Sequence, residues 1–442
     1  MERISLIKTL ASFIVAAVVY LIPLGLEGKP HIMLFVMTFI VLLWITEAAP
    51  LHATALFTAF LIILIVGLDA KEVFAQYFDP VIVLLLGGFV IAVAMSKYKL
   101  DEYMAYKIIG KAGNNPNFIV LALLSTAAFI SMWISNSATA AIIMPIALVI
   151  LSKNALKPGM TKFGKACVLA VGYGATIGGV GTIIGSTPNI IAAKYLQSSG
   201  VAFGFYEWLY RGFPLMLLLI IAGWLVLIAL FKPEKNYVKS VKVAHPITND
   251  QKKVMAIFVL TVILWITENI HGVSNSVMAL VPIILFYFSG LLSTEDFTRI
   301  DWPTLVLIGG GLALGMGIHA TTLDASFASL LSSAILGQNI FMLFLLLGLF
   351  GVLLTVFISN TTAAAVYLPL VVALGSSIGG NVTNIVVVAS LGVSLDFIFP
   401  FGTPPTAIAY GTRYVKQKDI ALAGIVISGI GIVLLMFLGT LW

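Results

Sequence analysis

Two short polar clusters interrupt long apolar stretches of this chain, and they are nearly identical. Tip one is Ser135-Asn136-Ser137, and tip two is Ser359-Asn360-Thr361. Polar side chains in a membrane-spanning, apolar setting are costly unless a polar or ionic partner meets them there. Because hydroxyl and amide groups both donate and accept hydrogen bonds, the two tips are candidates for the two sides of one buried solute site.

The chemistry of the tips favours an anion with cations beside it. We expect Ser137 and Thr361 to be the N-caps of the helices that follow, which places free N–H groups and a positive dipole end at each tip. The helices that end at the tips offer carbonyl oxygens, which suit a hard cation such as Na⁺. Neither tip contains lysine or arginine. Co-bound cations, or exchange of one anion for another, would therefore balance a bound dianion.

A segment broken by glycine and proline follows each tip. Residues 172–185 are rich in glycine and lead into Thr187-Pro188, whereas residues 399–402 lead into Thr403-Pro404. Such breaks free backbone groups, which membrane proteins tolerate beside a cavity or a ligand. Backbone carbonyls around residues 178–185 and 395–402 are candidates for completing the cation sites. Close helix packing is the alternative role for the glycines.

The composition places all of this in a membrane. The 442 residues are 60% hydrophobic and 10% charged, with a mean hydropathy of +1.11, which predicts a polytopic helical membrane protein. We interpret the first apolar run as a retained helix instead of a signal peptide. The basic residues cluster in short loops, and with a cytoplasmic N-terminus all but four of the 24 fall inside. The positive charge therefore orients a multi-pass protein in the cytoplasmic membrane and does not indicate nucleic acid.

An internal repeat organises the chain. The sequence Trp-Ile-Thr-Glu at 44–47 recurs at 265–268, and the Asp-Pro landmark, the tips and the Thr-Pro breaks recur about 220 residues later in the same order. Each copy contains an odd number of crossings, so we predict inverted repeats with a site between them at the midplane. The predicted fold is all-α, with about 11 transmembrane helices and two re-entrant hairpins. The predicted units are an unpaired first helix (1–30), repeat one (31–231, with hairpin 117–152 and broken helix 163–200), a cytoplasmic linker (232–253) and repeat two (254–442, with hairpin 339–374 and broken helix 382–412).

Helix length is the reason for predicting that the hairpins re-enter. The second arm of hairpin one, taken as residues 138–151, would be ~21 Å long at the helical rise, which is short of the ~30 Å hydrocarbon core. The second arm of hairpin two, taken as residues 363–374, would be shorter still. One long, kinked spanning helix in place of each hairpin is the alternative.

The paired tips and Thr-Pro breaks resemble those of the divalent anion/sodium symporter family, with its INDY-type carboxylate transporters. The resemblance covers essentially the whole chain. It implies a secondary transporter that moves dicarboxylates such as succinate, malate, fumarate or 2-oxoglutarate by an elevator mechanism, in a homodimer. It implies substrate contacts from Ser135, Asn136, Ser137, Thr187, Pro188, Ser359, Asn360, Thr361, Thr403 and Pro404. It also implies Na⁺ as a co-transported ion, at Ser135 and Asn136 with Gly181 and Gly185, and at Asn360 with Phe399 and Gly402.

Three residues depart from the family pattern. Ser137 stands where threonine is usual, which keeps the hydroxyl. Thr406 stands where asparagine is frequent, and Asp396 stands where a small apolar residue is usual. A carboxylate near the midplane is expensive and functional by default. Asp396 is therefore a coupling candidate, either for a cation or a proton or as a partner of Lys194. Lys194 itself is otherwise an interfacial lysine, and obligate dicarboxylate exchange is an alternative to sodium symport.

Other functions fit the sequence less well. An inorganic oxyanion such as sulfate would also suit helix ends, although Asn plus hydroxyl at both tips favours a solute with two carboxylates. An anion channel is the alternative from another class. Ser135 and Ser359 have no His or Lys base nearby in the sequence, and the histidines lack metal-ligand spacing. We therefore predict that the protein is not an enzyme and needs no cofactor beyond the transported ion.

Overall fold

The computed structural model describes residues 2–23, 25–241, 246–335, 339–400 and 402–442. Residues 1 and 24 of the predicted first unit, 242–245 of the predicted linker and 401 of the second predicted broken helix lie outside these ranges.

The described chain is all-α, as predicted. The helices of the first part are α1 (Glu2–Leu21), α2 (Lys29–Thr46), α3 (Leu51–Leu61, extended by a π-helical turn Ile62–Val66), α4 (Ala70–Ala75, followed by a 3₁₀ turn Gln76–Phe78), α5 (Pro80–Lys97), α6 (Leu100–Gly110), α7 (Pro116–Ser131), α8 (Asn136–Lys153), α9 (Lys162–Val180), α10 (Thr187–Ser198) and α11 (Phe205–Leu230). Those of the second part are α12 (Asn249–Ile266), α13 (Glu268–His271), α14 (Asn275–Met278), α15 (Leu280–Phe288), α16 (Thr294–Phe297), α17 (Trp302–Ala320), α18 (Leu323–Ile335), α19 (Ile340–Phe357), α20 (Asn360–Ser377), α21 (Val382–Val393), α22 (Pro404–Gly411) and α23 (Gln417–Leu441).

Within the described residues, eight helices are long and apolar enough to cross a membrane, and several apolar helices are shorter. One of the eight is α8, the second arm of hairpin one. Both second arms, α8 and α20, are 18 residues long, or ~27 Å at the helical rise. Our expectation that these arms are too short to cross alone is therefore wrong for α8, which begins two residues earlier and ends two residues later than predicted, whereas α20 is not among the eight. Re-entrance of the hairpins stays a prediction.

Helix α9 shows what most of its glycines do. Nearly all of α9 is buried, with α7 packed along it. A Cβ at Gly174 would meet the Leu124 carbonyl oxygen, and one at Gly178 would meet the Ala128 carbonyl oxygen. Glycine is needed there because the backbones of two helices approach closely.

The segment before α12 is attached to hairpin one. The Val238 N–H donates to the Asn114 carbonyl at 2.9 Å, and the Lys239 N–H donates to Asn154 Oδ1 at 2.9 Å. Glu234 accepts bonds from Thr161 Oγ1 at 3.1 Å and from the Phe163 N–H at 3.2 Å, at the start of α9. The end of the predicted linker, from Asn249, already belongs to α12. The described part of this connection therefore lies against the ends of the hairpin.

Most of the helices can be divided into two groups, which pack on each other through α17 with α20 and through α5 with α10. The first, which we call the frame, comprises α2, α3, α5, α12, α14, α15 and α17, with α5 packed mainly on α14 and α15. The second, which we call the carrier helices, comprises both hairpins (α7–α8 and α19–α20), both broken helices (α9–α10 and α21–α22), α11 and α23. Helix α10 packs mainly on α20 and α21, so the two halves of the chain are interleaved in this second group.

Candidate solute site

Tip one is a helix start with its side chains already oriented. Ser135 is the N-cap of α8, and its Oγ accepts a hydrogen bond from the Ala138 N–H at 3.4 Å. Asn136 is the first helical residue, and its Oδ1 accepts from Ser131 Oγ at 2.7 Å. Our prediction that Ser137 is the cap is wrong, because the helix begins two residues earlier. The amide NH₂ of Asn136 remains available to a ligand.

Tip two is built in the same way. Ser359 is the N-cap of α20 and accepts from the Thr362 N–H at 3.3 Å, so the expectation of a Thr361 cap is also wrong. Asn360 follows as the first helical residue. In the described part of the chain, its Oδ1 is buried and has no hydrogen-bond partner. A buried acceptor without a partner is expensive, and a bound cation or donor would satisfy it.

The first break is closed by an asparagine. Helix α9 ends at Val180 and α10 begins at Thr187. Asn189 Nδ2 donates to the carbonyl oxygens of Gly179 and Thr182, both at 2.7 Å. A Cβ at Gly179 would lie 2.7 Å from Asn136 Oδ1. The break therefore supports the amide of tip one directly.

The second break uses a hydroxyl instead. Thr406 Oγ1 lies 2.8 Å from the Thr403 carbonyl oxygen, 3.2 Å from that of Phe399 and 3.4 Å from that of Pro400. Asp396 lies in the same break with 1% of its surface exposed, and its Oδ2 has no hydrogen-bond partner among the described residues. A side chain at Gly402 would overlap this carboxylate. Asp396 thus lies one layer behind the residues of the break that face the solute.

The two tips and the two breaks surround one cavity of about 250 Å³, which we call the site cavity. Thr187 Oγ1 from the first break lies 2.5 Å from Thr361 Oγ1 of tip two, so the two repeats touch here. Of the predicted substrate residues, Pro188 does not line this cavity, and the others do. Its lining residues are Leu85, Phe89, Ser135, Asn136, Ser137, Ile184, Gly185, Ser186, Thr187, Asp301, Thr304, Ser359, Asn360, Thr361, Gly402, Thr403, Pro404 and Pro405.

Four helix N-termini meet at the site cavity. Its walls include the first residues of α8, α10, α20 and α22, namely Asn136, Thr187, Asn360 and Pro404. Each N-terminus carries roughly half a positive charge spread over its first turn, so the four together offset the charge of a dianion in part. Among the residues that the structure describes, no lysine or arginine lines the cavity. The arrangement suits a small dianion held by dipoles, N–H groups, hydroxyls and amides.

Only some of the residues predicted to bind sodium line the site cavity. Gly185 and Gly402 line the site cavity, whereas Gly181 and Phe399 lie outside its walls. The described residues contain no group of three His, Cys, Asp or Glu side chains that would hold a metal ion. A cation here would be held by hydroxyl, amide and backbone oxygens, and such oxygens are present at both tips.

Sequence reasoning missed Asp301 and Thr304. Asp301 is the N-cap of α17, and its carboxylate accepts bonds from the Thr304 N–H at 3.2 Å and from Thr304 Oγ1 at 2.6 Å. Asp301 also lines a second cavity of about 410 Å³, the vestibule, together with Ser135, Lys97 and Arg299. The Asp-Pro landmark of the repeat was visible in the sequence, but its position beside a tip was not. The vestibule and the site cavity adjoin, since they share Phe89, Ser135 and Asp301.

Lys194 has a partner other than Asp396. Its Nζ lies 2.5 Å from Asp79 Oδ2, at the start of α5. The alternative pairing of Asp396 with Lys194 is therefore wrong, and Lys194 is part of a buried ion pair instead of an isolated interfacial lysine.

Comparison with known proteins gives a consistent result. The family model for the "sodium:sulfate symporter transmembrane region" matches residues 3–442. A sodium-dependent dicarboxylate transporter SdcS from Staphylococcus saprophyticus is 32% identical over 450 residues, which cover 94% of this chain and 86% of that protein. An uncharacterized transporter from Haemophilus influenzae is 31% identical over 438 residues, covering 94% of this chain and 92% of that protein.

Two solved transporter structures share the fold. The YdaH transporter of Alcanivorax borkumensis has a TM-score of 0.60 at 14% sequence identity, over 83% of this chain and 86% of that one. MtrF of Neisseria gonorrhoeae has a TM-score of 0.59 at 13% identity, over 94% of this chain and 95% of that one. At this level of identity the likeness concerns the fold alone.

Proposed function

The chain belongs to the sodium:sulfate symporter transmembrane-region family, the divalent anion/sodium symporters that its tips resemble, and on that premise we propose that it carries C4 and C5 dicarboxylates across the cytoplasmic membrane together with Na⁺. Succinate, malate, fumarate and 2-oxoglutarate are the proposed substrates. The observation that carries this proposal is the site cavity, where four helix N-termini and two Asn-hydroxyl tips meet with no basic side chain among the described lining residues. The SdcS relatives, which are named as sodium-dependent dicarboxylate transporters, support it.

Charge balance is the reason for proposing sodium. The four helix ends offset a dianion only in part, because each half-charge is spread over the first turn of its helix. Asn360 Oδ1 is buried and unpartnered among the described residues, so tip two has an acceptor that a co-bound cation would satisfy. Na⁺ binds to such oxygen ligands. Unlike the charge of a lysine fixed in the chain, the charge of the ion leaves with the substrate. Exchange of one dicarboxylate for another is the alternative coupling.

The way the helices pack supports a mechanism of alternating access. The site cavity lies between the frame, which contributes Leu85, Phe89, Asp301 and Thr304, and the carrier helices, which contribute both tips and both breaks. A solute bound mostly by the carrier helices moves with them if they slide against the frame. We therefore propose an elevator mechanism, in a homodimer with a cytoplasmic N-terminus.

Uptake of labelled succinate into proteoliposomes tests the function. The expected result is accumulation into empty vesicles that requires an inward sodium gradient. Uptake that requires internal dicarboxylate and ignores sodium would establish exchange instead. Sulfate added in excess distinguishes the oxyanion alternative, because a sulfate carrier would be blocked by it and a dicarboxylate carrier would not.

Two further variants test the site assignment. Asn136→Ala and Asn360→Ala should each abolish uptake while the protein elutes as a normal, folded peak in size-exclusion chromatography. Wild-type uptake in either variant would contradict the role of the tips.

Asp396→Asn tests the coupling candidate, and an unchanged dependence on sodium and pH would show that its charge is not used in coupling.

A further inference from the structure

One ion pair joins the frame to the carrier helices. Lys194, on α10 of the carrier helices, lies 2.5 Å from Asp79, the N-cap of α5 in the frame, and their side chains are 24% and 8% exposed. Asp79 also accepts a bond from the Val81 N–H at 3.0 Å. Among the described residues, the other ion pairs join α5 of the frame to α16, join two carrier helices, or join residues no more than five positions apart. This pair is therefore the charged contact between the two groups.

Glycine residues of the frame lie against the carrier helices at several places in this interface. A Cβ at Gly311 of α17 would lie 2.7 Å from the Ala365 Cβ of α20, and Gly315 faces the Tyr195 ring of α10. On α5, Gly88 faces Ile184, with its added Cβ only 3.2 Å from Ile184 Cδ1. Small residues let helices lie close together, but their contacts have little directional preference. The ion pair is therefore a directional contact in this interface, beside the aromatic contacts of Trp133 with Phe258 and of Phe205 with Trp265.

The two copies of the repeat differ at this position. Asp301 is the repeat counterpart of Asp79 and caps α17 in the same way. It is exposed to the vestibule and the site cavity, and within the described ranges it forms no ion pair. The residue that corresponds to Lys194 in the second copy is Tyr410, which carries no positive charge. A lysine–aspartate pair of this kind is thus available on one side only.

The ion pair and the vestibule lie at opposite ends of α5: Asp79 precedes the helix, and Lys97 at its last turn lines the vestibule. The site cavity shares Phe89, Ser135 and Asp301 with the vestibule, so it communicates in that direction. A further cavity, beside His319 at the opposite end of α17, shares no lining residue with it. The register held by Lys194 and Asp79 is therefore the vestibule-open one.

We propose that the Lys194–Asp79 pair is a latch that holds the carrier helices in the vestibule-open register and biases the resting protein toward it. This inference rests on the alternating access proposed above. The pair must separate whenever α10 slides along α5. Removing only Lys194 leaves a buried, uncompensated carboxylate, which is strongly unfavourable in this register and is relieved where Asp79 reaches water. Lys194 acts through the position of α10 and, in this scheme, does not touch the solute.

The latch is tested by access to the vestibule. In a Cys167→Ala background, Ala92→Cys places a single thiol in the vestibule wall, and its labelling rate with a membrane-impermeant maleimide reports the vestibule-open fraction. We expect Lys194→Gln to slow labelling at least threefold in substrate-free vesicles. Lys194→Arg and the charge-swapped Asp79→Lys/Lys194→Asp variant should stay within twofold of the parent.

The same vesicles separate the latch from the transport function. The doubly neutral Asp79→Asn/Lys194→Gln variant should slow labelling less than Lys194→Gln, because it leaves no buried charge. A parent-like labelling rate in folded Lys194→Gln protein, or a charge swap as slow as Lys194→Gln, would overturn the latch. Absence of succinate uptake by the parent would instead refute the proposed function, whatever the labelling shows.

Discussion

Gly179→Ala probes how closely the first break supports tip one. The added Cβ would lie 2.7 Å from Asn136 Oδ1 and 2.9 Å from Asn136 Nδ2. Non-bonded heavy atoms of this kind normally approach to ~3.5 Å, so the amide must retreat by roughly 0.8 Å or the break must shift. Either movement disturbs the 2.7 Å bond from Ser131 to Asn136 and misplaces the amide that faces the solute.

The expected size of the effect follows from the bonds at risk. Loss of one or two hydrogen bonds that the folded site holds ready costs about 1–3 kcal/mol, which is roughly a 5- to 150-fold rise in KM. The assay is the concentration dependence of succinate uptake in proteoliposomes. Gly429→Ala is the matched control, since an added Cβ there meets nothing within 4 Å. A KM within twofold of wild type for folded Gly179→Ala protein would refute the reasoning.

The remaining predictions concern the contact between the repeats and the stability of α6. Thr187→Val removes the hydroxyl that lies 2.5 Å from Thr361 Oγ1, so KM for succinate should rise about 3- to 15-fold. Thr187→Ser keeps the hydroxyl, and its KM should stay near that of wild type. Equal KM values for the two variants would contradict a role for the hydroxyl. Asp101 lies in the first turn of the short helix α6, which is not one of the candidate membrane spans. Burial raises the pKa of its carboxyl from 3.8 to about 6, although the hydrogen bond from the Glu102 N–H acts in the opposite direction. Because the folded form then holds the proton more tightly than the unfolded form, the carboxylate reduces stability progressively as pH rises from about 4 through 6. Asp101→Asn should therefore raise the unfolding temperature in detergent at pH 8, by the equivalent of at most ~3 kcal/mol, and should have no effect near pH 4; an equal gain at both pH values would contradict this cause.

Much of the site was predictable because its elements are local. A Ser-Asn-Ser or Ser-Asn-Thr cluster after an apolar run, and a Thr-Pro step after glycines, each define a helix start within a few residues. The duplication of both signals placed Asn136 beside Thr187 and Asn360 beside Thr403 in one hypothesis. Where each helix begins was less certain, because serine at position 135 or 137 caps equally well in isolation. The structure selects the first serine of each tip.

What the sequence did not show depends on contacts between distant segments. Asp301 looks like an ordinary helix cap until α17 is placed beside tip one, and only then is it seen to line the site cavity. Lys194 and Asp79 are far apart in the chain, so their pairing depends on how α10 lies against α5. The arrangement of four helix N-termini is likewise a property of the assembled helices, and it supplies about twice the positive field expected from the tips alone.

The two breaks show how far two copies of one plan have diverged. Asn189 brings two amide hydrogens to the carbonyls of the first break and satisfies both. Thr406 brings one hydroxyl hydrogen to three carbonyl oxygens and a second hydroxyl in the second break, and the carbonyls of Phe399 and Thr403 also accept the N–H groups of Gly402 and Ala407. The first break is thus held by two separate amide hydrogen bonds, and the second shares one hydroxyl hydrogen among several acceptors. The two copies of the repeat thus keep the same order of helix, break and helix, but they satisfy the backbone carbonyls of the break in different ways.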